Sequence, residues 1–379
     1  EIGNASVNKV SFAFVALLKD CGNRKNLDEL IRLHVDIVRS GLLENNTYLA
    51  TTLVSMYVKC GDLAKAQGVL EEIPFQDVIS YNSLIGGYAQ QGKYNDAFDS
   101  MDQMRNKGLS PDKVTFICIL KACGKMGNLD KGKEIHEEIV CRGFLHEDIT
   151  LGTALVDMYA KCGELAEAHL ILKAFPMRNV VSWNALIAGY SEYGQCHKAL
   201  ACIELMQRDG LSPNVVTFVC IVKACGSQRD MDKGKEIHDD IVSRRLLEKD
   251  IVLGNALVDM YAKCGALAKA QEVLKELSTR DIVSWNALIA GYAQRGQVHE
   301  VLDCFKQIQS ECLSPNAITF TCILKACCIA RDIEKGKQIH EEILNRGLLE
   351  KDILLGNALV DMYAKCGFLA KAQQVLDGL

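Results

Sequence analysis

The phrase Met56-Tyr57-Val58-Lys59-Cys60-Gly61 returns as Met158-Tyr159-Ala160-Lys161-Cys162-Gly163, again from Met260 to Gly265 and again from Met362 to Gly367, each copy 102 residues after the last. His34, His136, His238 and His340 keep the same interval, as do Pro111, Pro213 and Pro315. A chain copied at a fixed period buries its apolar faces by stacking each unit on its neighbours. That overrides the two or three globular domains that 379 residues would otherwise suggest.

The unit divides again, because Leu-Ile-x-x-Tyr, Leu-x-Lys-x-Cys and Leu-Val-x-Met-Tyr are variants of one helical phrase. Pieces of 36 residues run over 11–46, 113–148, 215–250 and 317–352; pieces of 35 over 78–112, 180–214 and 282–316. Pieces of 31 run over 47–77, 149–179 and 251–281, with 353–379 cut short, making eleven repeats after a patternless lead-in, 1–10, expected to fray. Within a piece, apolar residues such as Tyr81, Leu84, Ile85 and Tyr88 fall on one helical face. A glycine such as Gly92, Gly194 or Gly296 then breaks the pattern, and a second helix follows. Left-handed glycine and a later proline end each helix. The reading is all-α: helix-turn-helix repeats stacked as one solenoid.

A net charge of −5 argues against bulk attraction to polyanions and leaves the placement of lysines as the relevant variable. Seventeen cysteines invite a disulfide or metal framework, but thirteen keep repeat registers (Cys21/123/225/327, Cys60/162/264/366, Cys118/220/322, Cys202/304). Copying explains them, and no paired C-x-x-C stands with His at zinc spacing, so neither metal nor cofactor is expected. Free buried thiols pack as small hydrophobes and point to a reducing compartment. No apolar run is long enough to span a membrane. No targeting peptide is read at the start of the chain; such a segment, or a C-terminal domain, would lie outside these residues.

The stripe opposite the core face reads Ile79, Asn82, Gly86, Ala89, then Val181, Asn184, Ala188, Ser191, then Val283, Asn286, Ala290, Ala293. A solvated helix face would carry Lys, Glu or Arg, so small residues with one amide suggest a lined concavity. The last residue of each repeat lies just before the next first helix and is expected at the same groove. This pairs the fifth residue of a repeat with its last.

These residues carry a family likeness. Val-Val-Ser-Trp-Asn-Ala-Leu-Ile-Ala-Gly-Tyr with Gly-Leu-Ser-Pro-Asn, and Leu-Val-Asp-Met-Tyr-Ala-Lys-Cys-Gly, closely resemble pentatricopeptide repeat (PPR) proteins of the plant organelle PLS class, over residues 11–379. The resemblance implies a right-handed superhelical α-solenoid, monomeric, in a mitochondrion or chloroplast. It implies binding to single-stranded RNA at one base per repeat, a code that belongs to the family and is not read from the spacing.

The chemistry of the pairs agrees with that implication. A carboxylate only accepts hydrogen bonds, so Asp at the repeat end suits the N–H edge of uracil or guanine; Asn also donates, which suits cytosine or adenine. At the fifth position Asn reaches a pyrimidine, whereas shorter Thr leaves room for a purine. Thr51 with Asp77 then reads G, Asn82 with Asp112 U, Thr153 with Asn179 A, Asn184 with Asn214 C or U, Asn255 with Asp281 U, and Asn286 with Asn316 C or U. Val15, Ile117 and Val219 cannot bond a base, so the 36-residue repeats are silent, except that Thr321 with Asp352 reads G weakly. Asn357 begins a pair whose end is cut off. The expected RNA is 5′-xGUxAYxUY(G)-3′.

By the same resemblance the second residues, including Ile79, Val181, Val252 and Val283, wedge between bases. Lys59, Lys161, Lys263 and Lys365 share one register just off the groove and are the candidates for phosphate contacts. Blander readings stand beside these. Asn or Thr near a helix start is often only a cap, the Lys register suits a solvated face, the four His sit among Ile and Glu without a nucleophile or ligand cluster, and Trp183 and Trp285 suit the core.

No catalytic constellation is present. The H-x-E with P-C-x-x-C arrangement of zinc deaminases is missing, so editing chemistry would come from an appended DYW-type domain or a recruited partner. The leading expectation is the recognition tract of an organelle RNA-editing (C-to-U) or RNA-processing specificity factor. Multiple organellar RNA editing factors would dock on the 36-residue repeats. The rival is a peptide-binding scaffold like the tetratricopeptide repeats; that family keeps a 34-residue period, whereas the period here is mixed.

Overall fold

A computed structural model of the chain describes residues 2–43, 46–146, 148–175, 178–247, 250–349 and 352–378. Among these residues the secondary structure is helical throughout, and the chain folds as an all-α helical-repeat solenoid. It divides into two compact units, Glu1–Gly189 and Tyr190–Leu379.

The first unit holds α1 (Ile2–Arg24), α2 (Leu27–Arg39), α3 (Thr47–Cys60), α4 (Leu63–Glu72), α5 (Val78–Gln90) and α6 (Tyr94–Asn106). It continues with α7 (Lys113–Met126), α8 (Leu129–Cys141), a single 3-10 turn over Phe144–His146, α9 (Ile149–Lys161) and α10 (Leu165–Ala174). Helix α11 (Val180–Glu192) crosses the division. The second unit then has α12 (Cys196–Arg208), α13 (Val215–Gln228), α14 (Met231–Ser243), α15 (Ile251–Lys263), α16 (Leu267–Glu276) and α17 (Ile282–Gln294). It ends with α18 (Val298–Ser310), α19 (Ala317–Ala330), α20 (Ile333–Asn345), α21 (Ile353–Lys365) and α22 (Leu369–Asp377). The first helix begins at Ile2, so residues 2–10, set apart above as a frayed lead-in, are its opening turns.

Helix starts follow from the sequence. Asn26, Asn128, Asp230 and Asp332 each place a side-chain oxygen on the third backbone N–H of a second helix, satisfying a donor that the helix itself leaves free. Stops are equally local: Gly61 closes α3 at φ 88°, a conformation that costs a side chain dearly.

Within each unit the first helices of successive repeats pack on one another (α1 on α3, α3 on α5, α5 on α7, α7 on α9; α13 on α15, then α17, α19 and α21), and α2, α4, α6, α8, α10, α14, α16, α18, α20 and α22 each pack on the first helix of their own repeat. Phe116, Phe218 and Phe320 are fully buried in this interior with Leu53, Leu120 and Leu257. Burying each such side chain contributes about 1.5–3 kcal/mol. Ala89 and Ala293, assigned above to the groove stripe, are buried as well, because helices stacked this closely enclose the end of that stripe.

All cysteines are free thiols, and burial pushes Cys123 and Cys327 up to about 12. Each histidine of the repeated register bonds through Nδ1 to a tyrosine hydroxyl: His34 to Tyr57, His136 to Tyr159, His238 to Tyr261 and His340 to Tyr363, at 2.9 to 3.0 Å. Trp183 and Trp285 are buried in the core, and Trp285 Nε1 donates to Glu311 at 2.8 Å. No helix among the described residues is long and apolar enough to cross a membrane.

Candidate nucleic-acid interface

The last residue of a repeat is the residue on which the next helix starts. Asp77 Oδ1 accepts from the Ser80 N–H at 2.8 Å, and Asp112, Asp281 and Asn316 form full capping boxes with Thr115, Ser284 and Thr319. Asn214 does the same with Thr217. The capping role weighed above for the fifth residues therefore falls on their partners. A helix N-terminus also fixes the aim of that partner side chain, since one oxygen is tied to backbone N–H.

Four expected pairs are brought into contact. Asn82 Nδ2 donates to Asp112 Oδ1 at 2.9 Å, and Asn255 Nδ2 to Asp281 Oδ1 at 3.1 Å. Asn286 Nδ2 donates to Asn316 Oδ1 at 3.1 Å, and the Thr51 hydroxyl lies 3.2 Å from Asp77 Oδ2. Burial alone would raise the pKa of Asp112 and Asp281. Hydrogen bonds from the capped N–H and the amide of Asn82 or Asn255, joined at Asp281 by the hydroxyl of Ser284, outweigh it and hold both below the usual carboxylate range. Each carboxylate is thus a fixed acceptor at neutral pH.

Two other pairs are not joined. The Thr153 hydroxyl donates to the Ile149 carbonyl at 2.7 Å while Asn179 Oδ1 caps Ser182 at 2.8 Å; among the described residues no bond links the two. None links Thr321 to Asp352, whose Oδ1 accepts from the Leu354 and Leu355 N–H groups. Asn184 is 8% exposed, and Asn357 is exposed.

Beside the pairs runs a row of apolar side chains in water. Ile79, Val181, Val252 and Val283 are 55 to 63% exposed. Phe12, Tyr48, Val114, Val216, Ile318 and Leu354 hold the same second position in other repeats and are exposed too. Those six were not singled out from the sequence. The signal was position alone: a large apolar residue one place after a helix start, where a buried one would break the core face.

The lysine register lies eleven residues, close to three full turns, after that second position, so it shares the face. Lys161, Lys263 and Lys365 are each held by an aspartate one turn earlier, Asp157 at 2.5 Å, Asp259 at 2.6 Å and Asp361 at 2.8 Å. Lys59 instead lies 3.4 Å from Asn23.

Known proteins share this construction. The PPR repeat model matches residues 48–76, 114–144, 216–246, 255–282 and 318–348, and the PPR repeat family model matches 76–125, 178–227 and 280–329. Pentatricopeptide repeat-containing protein At4g18520, chloroplastic, of Arabidopsis thaliana is 34% identical over 366 residues, covering 97% of this chain and 58% of that protein. A mitochondrial relative from the same plant, At3g09040, is 33% identical over 328 residues, 86% of this chain and 32% of its own. The chain spans about half the length of the curated relatives it matches. In fold it is similar to the crystal structure of the pentatricopeptide repeat protein PPR10 from maize, with a TM-score of 0.67 at 18% identity over 97% of this chain and 58% of that one. PPR10 in complex with an 18-nt psaJ RNA element gives 0.64 at 18% identity over 99% of this chain and 61% of that one. With repeat matches running through most of its length, the chain belongs to the PPR repeat family.

Proposed function

We propose that this chain binds single-stranded RNA in a sequence-specific manner, one base per reading repeat, as the recognition tract of an organelle RNA-editing or RNA-processing factor of the PLS class. The observation that carries the reading is the junction pair: an amide or hydroxyl inside one helix bonded to a carboxylate or amide that starts the next first helix. In Asn82 with Asp112 the cap and the amide both fall on Oδ1, so Oδ2 is the acceptor offered to a base N–H. The exposed second residues flank each pair and supply desolvated slots for base faces. PPR10 was crystallised with RNA, and relatives carry chloroplastic or mitochondrial names; both support the assignment of ligand and compartment.

The expected target is 5′-xGUxAYxUY(G)-3′. Filter binding with this RNA, a scrambled RNA of the same composition and the matching DNA tests the proposal. Preference for the first is expected, and equal retention of all three would sink it. A peptide-binding scaffold would leave the three indistinguishable. Cytidine deamination, if this chain directs it, would be performed by another domain or partner.

A further inference from the structure

Behind each bonded pair sits a third side chain, described so far only as a partner of the helix cap. The third residue of the following repeat is Ser80, Thr115, Ser182, Thr217, Ser284 or Thr319 wherever the preceding repeat is one of 31 or 35 residues, all six of which carry Thr or Asn in fifth place, and every one is fully buried. Where the preceding repeat is a 36-residue one, that residue is Leu49, Leu151, Leu253 or Leu355, equally buried. The alternation follows the class of the preceding repeat and not burial, and Thr321, in a 36-residue repeat, is followed by Leu355.

Three of the hydroxyls bond to the readers, while Ser182 Oγ donates to the Asn179 carbonyl at 2.8 Å. Thr115 Oγ1 donates to Asn82 Oδ1 at 2.6 Å and Thr319 Oγ1 to Asn286 Oδ1 at 2.7 Å, while Ser80 Oγ donates to Thr51 Oγ1 at 3.0 Å. With its oxygen held by the threonine and one N–H held by the partner, the amide of Asn82 cannot flip between donor and acceptor. The junction backbone divides the same way: ψ is 165° at Asp77, −177° at Asp112, 179° at Asp281 and −179° at Asn316, but 86° at Asn46, 104° at Asp148, 107° at Asp250 and 101° at Asp352. Thr321 with Asp352 falls in the second class on both counts. At Asn255 the serine hydroxyl turns to Asp281 at 2.8 Å instead, and Asn255 Oδ1 is buried without a partner.

We propose that the buried hydroxyl at the third place of the following repeat is a positioning residue for base reading, and that a repeat followed by leucine there does not read. The inference rests on the RNA-reading function proposed above and names which repeats exercise it. It makes the Thr321 with Asp352 repeat silent and leaves the Asn255 site less discriminating than the Asn82 site.

The test measures binding of the full chain to RNAs carrying each of the four bases opposite residues 78–112. Thr115→Val is expected to lower the preference for U over C at that base by about tenfold, the worth of one hydrogen bond, with preferences elsewhere unchanged; Thr115→Ser restores it. Asn82→Thr is the control for reading itself. If Asn82→Thr shifts the preferred base but Thr115→Val weakens all four RNAs equally, the positioning role falls and reading stands. If Asn82→Thr shifts nothing, both fall. An arm that needs no mutation randomises the base opposite residues 317–352 in the unmodified protein: no preference is expected, and selection of G overturns the proposal.

Discussion

His238 and Tyr261, on α14 and α15, share a buried hydrogen bond of 2.9 Å that ties the second helix of one repeat to the first helix of the next. The same bond recurs at His34, His136 and His340, and burial lowers the pKa of all four imidazoles below the ordinary value. Nearby carboxylates such as Glu72 and Glu167 pull the other way and do not win. The unfolded chain therefore binds protons first, so the contribution of these groups to stability is complete above about pH 6.5 and declines as pH falls toward their folded values. Urea midpoints at pH 7.5, 6.5 and 5.5 should step downward. A flat profile would mean that the imidazoles are not held neutral by the fold.

Asn255 and Asp281 together carry the expectation of U. Asn255→Thr shortens the side chain and should move the preferred base from U to G at one position of the RNA, with the neighbouring positions unchanged. Competition among four RNAs differing only at that base checks it. A loss of affinity shared by all four would count against a reading role.

Lys263 is paired with Asp259 on its own helix, an exposed pair worth little to stability. If the lysine exchanges that partner for phosphate, Lys263→Ala lowers the slope of log affinity against log salt by about 0.7. An unchanged slope would show that Lys263 serves only Asp259.

Gly234 and Gly291 separate two kinds of close approach. A methyl at Gly234 would meet the Met260 sulfur at 2.6 Å, but at Gly291 it would meet Ala262 Cβ at 2.9 Å with Ala262 Cα behind it. The thioether can rotate away; the alanine is part of α15 and cannot. Gly291→Ala is expected to cost about 1–3 kcal/mol. Gly234→Ala should stay near neutral, since removing a mid-helix glycine returns about 0.5–1 kcal/mol. Urea unfolding of the two variants side by side decides the order.

The helical class and its period were legible because spacing is all they require. Leu53, Tyr57 and Phe116 announce a buried face by recurrence. The junction pairs were legible for a different reason: Asn or Thr at one register and Asp or Asn at another recurred along the repeats. The hydroxyls of Ser80 and Thr115 were visible in the same register and passed over, since a serine or threonine near a helix start is explained by capping alone. Their second bond, to a side chain 29 or 33 residues earlier, depends on how adjacent first helices are spaced. Packing also enclosed Ala89 and Ala293, small residues whose register placed them on the open stripe but whose depth no single-helix pattern could supply.

Because Asp112, Asp281 and Asn316 each initiate a helix as well as face the junction, the alphabet available at those places is confined to side chains that start helices well. Aspartate and asparagine do so about equally, and they are the two that distinguish U from C in the proposed code. Exchange between them would redirect an array to a different transcript at almost no loss in folding, so new targets are reachable by single substitutions.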